Sequence, residues 1–140
     1  MKLAAPERVE VRIPRRAEFV RLVRMAACTL AAQLDFTYDV MKDIELAVGE
    51  ACTNAVEHVA DETCDEILVR FTIDGEQLAV EVFDRGQGFD PSATEAVVVD
   101  GEKIGGLGLI VIQQVMDEVD ITCDAETGTC VRMIKHRVRE

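Results

Sequence analysis

The chain has 140 residues, enough for one compact domain and too few for two ordinary ones; apolar residues make up 49%, aromatics 4%, and there is no Trp, so its core must be aliphatic. A formal net charge of −12 argues against a general nucleic-acid binder, which needs a basic face to displace counterions. Five cysteines without a C-x-x-C pair argue against a zinc site or disulfide framework, and no apolar run nears the ~18 residues of a membrane-spanning helix; the expectation is a cytoplasmic protein with reduced thiols.

RVEVRIP, Arg8 to Pro14, alternates polar and apolar residues and predicts a first strand, at a sheet edge because Pro14 ends it. From Arg15 to Leu34, residues such as Phe19, Val23, Ala27, Leu30 and Leu34 recur at helical spacing. DFTYD breaks that pattern, and Asp39 is placed to cap a second helix running to about Val59, with Ile44, Val48, Ala51 and Ala55 on its apolar side. DETCDE is a polar connector. EILVRFTIDGEQLAVEVFD, Glu66 to Asp84, reads as a hairpin joined around Asp74-Gly75. Arg85 to Gly106 has no sustained period, and a loop of that length is functional or mobile. Leu107 to Val119 predicts a third helix, and Asp120 to Val138 a second hairpin turning at Glu126-Thr127-Gly128. The order β-α-α-β-β-loop-α-β-β predicts an α+β two-layer sandwich, one sheet with helices on one face, spanning residues 1–140 as one domain.

Three polar segments stand out. Glu50, Asn54 and His58 lie at i, i+4 and i+8, a step of only ~40° around a helix, beside the apolar Ala51/Ala55 side. An amide oxygen can give one ligand to Mg²⁺, which keeps waters and borrows phosphate oxygens. A glutamate one turn earlier could accept a proton from an attacking hydroxyl or water. A helix border that merely meets solvent has the same pattern. In DRGQGF, Asp84 ends an apolar strand and Gly86 and Gly88 follow. Such a carboxylate can accept the exocyclic amine of adenine, with glycines letting a flat base approach the backbone; a turn after a strand looks the same. GGLGL, Gly105 to Leu109, opens the third helix, where free amides attract phosphate. No G-K-[ST] follows, so it is not a P-loop, and the third Gly of the dinucleotide fingerprint is missing.

In this order and on these elements, E-x-x-x-N, D-x-G-x-G and G-x-G resemble the motifs of the GHKL ATPases, the Bergerat fold, over nearly the whole chain. The segments EACTNAVEH, DRGQGFDP and GGLGLIVIQQVMDEV look most like the small anti-sigma-factor serine/threonine kinases of the RsbW and SpoIIAB type. The resemblance implies a histidine-kinase-like ATPase fold with a mixed, mostly antiparallel sheet, and ATP and Mg²⁺ as cofactors. It implies Glu50 as catalytic base, Asn54 as the Mg²⁺ ligand, Asp84 as the adenine-reading carboxylate and Gly86 and Gly88 as its pocket. Gly105, Gly106 and Gly108 match the phosphate loop, and Thr129 the threonine that supports adenine binding, although a turn Thr of strand propensity explains it on residue grounds. His58 is read as structural rather than catalytic, and Lys103 as a solvated lid lysine.

The chain lacks the phosphoacceptor helix pair of a sensor kinase and the transducer domain of a topoisomerase. The function that the resemblance implies is a cytoplasmic homodimer that holds a sigma factor inactive and phosphorylates a STAS-type anti-sigma-factor antagonist, without contacting nucleic acid or membrane. Two alternatives stay open: a module of the same fold acting on a non-sigma partner, or one that binds sigma without significant kinase activity. The basic cluster from Arg15 to Arg24 could face an acidic partner or be an ordinary solvated helix face.

Overall fold

A computed structural model describes residues 5–57, 66–84, 104–124 and 128–137. The chain runs through β1 (Glu7–Pro14), a 3-10 turn (Ala17–Phe19), α1 (Val20–Gln33), α2 (Tyr38–Glu57), β2 (Glu66–Asp74), β3 (Gln77–Asp84), α3 (Ile104–Val115), β4 (Glu118–Asp124) and β5 (Gly128–His136). The strands form one sheet in the order β1-β2-β3-β5-β4. All four pairings are antiparallel, where the resemblance implied a mixed, mostly antiparallel sheet. β1 sits at the edge, as Pro14 foretold.

Period-2 alternation puts Val69, Phe71, Val80, Val82 and Met133 on one face of the sheet, all buried. The helices cover that face with Val23, Ala27, Ile44, Val48 and Ile112. α2 packs against both α1 and α3 and so occupies the middle of the helical layer.

The helix-free face is set by charge. Register places Glu10, Arg70, Glu81, Arg132 and Asp120 opposite one another in a single row across all five strands, alternating in sign at each step. Glu10 and Arg70 meet at 2.8 Å, Arg70 and Glu81 at 3.7 Å. The Arg70 guanidinium also lies 5.0 Å from the centre of the Phe83 ring. Exposed pairs of this kind stabilise little, up to about 1 kcal/mol each. Their larger effect is on register, because a slipped strand would set like charges opposite one another.

The connections have local causes. Asp35, at φ 60°, ends α1: its own amide bonds the Ala32 carbonyl at 3.2 Å and the Phe36 amide returns to the Ala31 carbonyl at 3.4 Å. This is a Schellman arrangement in which Phe36 is tucked into the core. The cap of α2 is Thr37, not Asp39: the Val40 amide donates to Thr37 Oγ1 at 3.3 Å. Asp39 instead lies in the first turn, where its charge favours the positive end of the helix. Gly75 opens the β2–β3 turn at φ 59°, while Glu76 stays at negative φ, the pattern of a II′ hairpin.

The third helix lies earlier than its periodicity predicts, Ile104–Val115 in place of Leu107 to Val119. Its end is fixed by β5. Lys135 Nζ donates to the Val115 carbonyl at 2.6 Å, the Asp117 amide to the Ile134 carbonyl at 2.9 Å, and the His136 amide to Asp117 Oδ2 at 2.7 Å. Glu118 and Val119 are therefore strand residues, paired with Ile134 and Met133.

Cys52 is fully buried on α2, and burial pushes its thiol up from 9.0 to about 12. Because the folded value is the higher one, this contribution to stability is whole below pH 9.0 and is lost as pH rises towards about 12. Urea midpoints measured at neutral pH and at pH ~10 should fall more steeply for the wild type than for Cys52→Ala. Parallel losses would mean that another group controls the alkaline limit.

Candidate nucleotide and phosphotransfer site

Among the described residues three polar side chains are buried: Asn54, Asp84 and Thr129, at 7%, 8% and 6% exposure. All three line the same narrow cleft. Asp84 and Thr129 are direct cross-strand partners at one end of the β3–β5 pair, and Val82 and Val131 form the next pair on the same face. Asn54 comes down from α2 with Ala51 and Ala55 beside it, and Leu109 closes the cleft from α3.

The cleft is thus apolar on its walls and polar at a few fixed points, the lining pattern of small-molecule sites. A buried hydroxyl without a partner is costly. Thr129 Oγ1 is buried and has no hydrogen-bond partner among the described residues. An apolar slot ending in a carboxylate and an orphaned hydroxyl suits a flat heteroaromatic ring with donors and acceptors on one edge. Adenine fits that description.

Glu50 stands one turn before Asn54 and is half-buried. The helix α3 crosses both side chains at Gly108. A Cβ on Gly108 would lie 2.9 Å from Glu50 Oε2 and 3.2 Å from both Asn54 side-chain heteroatoms. The glycine therefore leaves the space that the two polar groups occupy. Helix geometry also separates the three glycines. With α3 starting at Ile104, the amides of Gly105 and Gly106 lie in the first turn and have no intrahelical acceptor, whereas the Gly108 amide already belongs to the ladder.

No group of three or more His, Cys, Asp or Glu able to hold a metal ion exists among the described residues. An ion here would take one amide oxygen, from Asn54, and complete its shell with water and phosphate oxygens, the arrangement Mg²⁺ favours.

Of the residues singled out from sequence, the structure brings Glu50, Asn54, Asp84, Gly108 and Thr129 together, with Gly105 and Gly106 in the adjoining first turn of α3. Gly86, Gly88, His58, Lys103 and the segment with Ala96 to Val99 lie outside the described residues. Sequence reasoning missed the lining pair Val82 and Val131. Their alternation with Asp84 and Thr129 was visible, but their pairing required knowing that β5 lies beside β3.

A family model described as the histidine kinase-like ATPase domain matches residues 13–135. A serine-protein kinase RsbW of Bacillus velezensis is 37% identical over 137 residues, covering 91% of this chain and 84% of the relative. The chain belongs to the RsbW family of histidine kinase-like ATPases. The RsbW kinase of Bacillus subtilis is 34% identical over the same shares of the two chains. A crystal structure of the RsbU and RsbW domains of a Mycobacterium tuberculosis protein superposes with a TM-score of 0.71 at 21% identity. It covers 96% of this chain and 33% of that one, and supports the RsbW fold.

The Gly108 contact yields a test that separates fold from chemistry. Gly108 lies inside a helix at ordinary φ, so alanine there should help the helix by about 1 kcal/mol. The same methyl must push the Glu50 carboxylate aside, and a misplacement of about 1 Å can cost about 10²-fold in rate. Gly108→Ala should therefore melt no lower than the wild type yet transfer phosphate at least about tenfold more slowly. Unchanged transfer would mean that the Glu50 position is not critical.

Proposed function

We propose that this chain uses ATP and Mg²⁺ to phosphorylate a serine or threonine on a STAS-type anti-sigma-factor antagonist, and that in its nucleotide-bound form it holds a sigma factor inactive. Membership of the RsbW serine-protein kinases supplies the reaction class. The observation that carries the reading is the convergence of Asn54, Asp84 and Thr129 on one cleft, with Glu50 one helical turn away.

In this reading Asp84 and Thr129 hold the polar edge of adenine while Val82, Val131 and Leu109 sandwich its faces. The free amides at the start of α3 receive phosphate oxygens. Asn54 supplies the protein ligand to Mg²⁺, which when bound neutralises phosphate charge. Glu50 takes the proton of the acceptor hydroxyl. A phosphate placed on the antagonist adds charge at its interface with the kinase, which weakens that complex and returns the kinase to sigma. The homodimer and the cytoplasmic location implied by the resemblance belong to the same proposal. No helix among the described residues is long and apolar enough to cross a membrane.

The direct test is calorimetry of ATP with and without Mg²⁺, for the wild type and Asn54→Ala, alongside γ-labelled ATP transfer to purified STAS-domain proteins of the same genome and a pull-down of its sigma factors. Asn54→Ala should fold and lose the Mg²⁺-dependent part of ATP affinity. Identical titrations in the two proteins would remove Asn54 as ligand. Sigma capture without any transfer would favour a nucleotide-dependent binder over a kinase.

A further inference from the structure

We infer that Arg15 is a positioning residue for Asn54, acting from outside α2 by holding the last turn of that helix in place. This rests on the reading of Asn54 as the Mg²⁺ ligand and adds to it a residue that the sequence offered only as part of a basic cluster.

The contacts divide that cluster. Arg16 is satisfied locally, 2.8 Å from Glu18 and 5.4 Å from the centre of the Phe19 ring. Arg24 lays its aliphatic stem across α2 at Gly49, where a Cβ would fall 2.7 Å from its Cδ. Arg15 is half-buried and donates from Nη1 to the Val56 carbonyl at 3.1 Å, a bond that spans 41 residues of sequence. Its backbone is fixed as well. Pro14 ends β1 opposite Glu66, and the Arg16 amide returns to the Pro14 carbonyl at 2.7 Å, which puts Arg15 at the apex of a three-residue turn. The guanidinium is thereby tied to the edge of the sheet.

At this end α2 needs a partner from elsewhere. Its last four carbonyls, from Asn54 to Glu57, have no donor within the helix. Its last turn holds no basic residue to meet the negative end of the dipole, and Glu57, an exposed carboxylate, adds to that negative charge. Arg15 supplies hydrogen bond and charge together. Asn54 stands two residues before Val56 and lines the nucleotide cleft. Helix ends are where local opening begins, so the group that holds the Val56 carbonyl also steadies the Asn54 side chain. Glu50 lies a full turn deeper in the ladder and depends on this bond less.

Charge and position make opposite predictions. A cation beside a Mg²⁺ site repels the ion, so if Arg15 acted by charge alone its removal would strengthen Mg²⁺-dependent binding. If it acts through the placement of Asn54, its removal weakens that binding.

The test is calorimetry of ATP with and without Mg²⁺ on the full chain, for the wild type, Arg15→Met, Arg15→Lys, Asn54→Ala and the Arg15→Met/Asn54→Ala double variant. It is run beside hydrogen exchange of the nucleotide-free proteins. Methionine keeps much of the arginine stem and removes one partly exposed hydrogen bond, so the fold should survive. The ratio of ATP affinity with Mg²⁺ to that without should fall about fivefold in Arg15→Met. Arg15→Lys, which can still reach a terminal carbonyl, should recover most of it. Without nucleotide, the amides of Thr53 to Glu57 should exchange faster in Arg15→Met while those of Ile44 to Val48 keep their protection. In the Asn54→Ala background Arg15→Met should change the ratio no further, since its effect passes through that side chain. An unchanged or raised ratio in Arg15→Met would overturn the inference, as would an equal fall in the Asn54→Ala background. A ratio that Asn54→Ala itself leaves unaltered would overturn the reading of Asn54 as ligand, and the role of Arg15 with it.

Discussion

Glu50→Gln is expected to slow phosphate transfer by about 10²–10⁴-fold, the usual contribution of a positioned general base, while ATP affinity stays near that of the wild type. The amide keeps the size of the carboxylate and much of its hydrogen bonding but cannot take a proton. The geometry makes the substitution specific. Glu50 is outside the lining of the nucleotide cleft, so its charge contributes little to holding the base or ribose. It lines instead an open groove between α1 and α2. Single-turnover transfer from γ-labelled ATP, run beside calorimetry of ATP with Mg²⁺, separates the two effects. Transfer at the wild-type rate would leave Glu50 a structural residue in contact with Gly108 and place the base elsewhere. A loss of ATP affinity as large as the loss of rate would instead assign it to nucleotide binding.

How much of this site was legible in the sequence depends on whether local or long-range contacts decide it. The Glu50–Asn54 stripe follows from a helical period alone, and Asp84 at the end of an alternating run is equally local. Both lie where periodicity put them. The meeting of Asp84 with Thr129 is not local. It needs β5 to insert between β3 and β4, a crossover that strand patterns do not specify. The alternating charge row from Glu10 to Asp120 is hidden for the same reason, since each residue is visible but the register aligning five strands is not.

Local chemistry also misled where two signals overlapped. Asp39 and Thr37 can each cap a helix, and the choice of Thr37 depends on the left-handed turn at Asp35, which orients the entry into α2. The apolar residues after Val115 continue the helical pattern, yet three hydrogen bonds with β5 turn that stretch into the start of β4. The resemblance assigned Gly108 to the phosphate loop. Its closeness to Glu50 and Asn54 was not legible, because that is a property of how α3 crosses α2. Gly49 carried no sequence signal at all, and only the path of Arg24 across it gives the residue a reason.

Asp84→Asn should lower ATP affinity by about 10–100-fold, the loss of one hydrogen bond to a charged group of about 1.5–3 kcal/mol. The second part of the expectation is a change in nucleotide preference. With Asp84 at the base, the exocyclic amine of adenine would donate to its carboxylate, whereas guanine would present a carbonyl oxygen at that position and be repelled. An asparagine carries both an acceptor and a donor and can turn either towards the base. The penalty against guanine is thereby relieved as the gain for adenine falls, and the ATP-to-GTP affinity ratio should shrink from both sides. The Thr129 hydroxyl, buried beside Asp84, would remain as a second polar contact, so binding should be weakened rather than abolished. The measurement is calorimetry of ATP and GTP on the wild type and on Asp84→Asn, with melting curves to show that the buried position still folds. Equal ATP and GTP affinity in the wild type would remove Asp84 from base recognition. A variant that loses ATP affinity with its ATP-to-GTP ratio unchanged would mean that Asp84 shapes the cleft without reading the base.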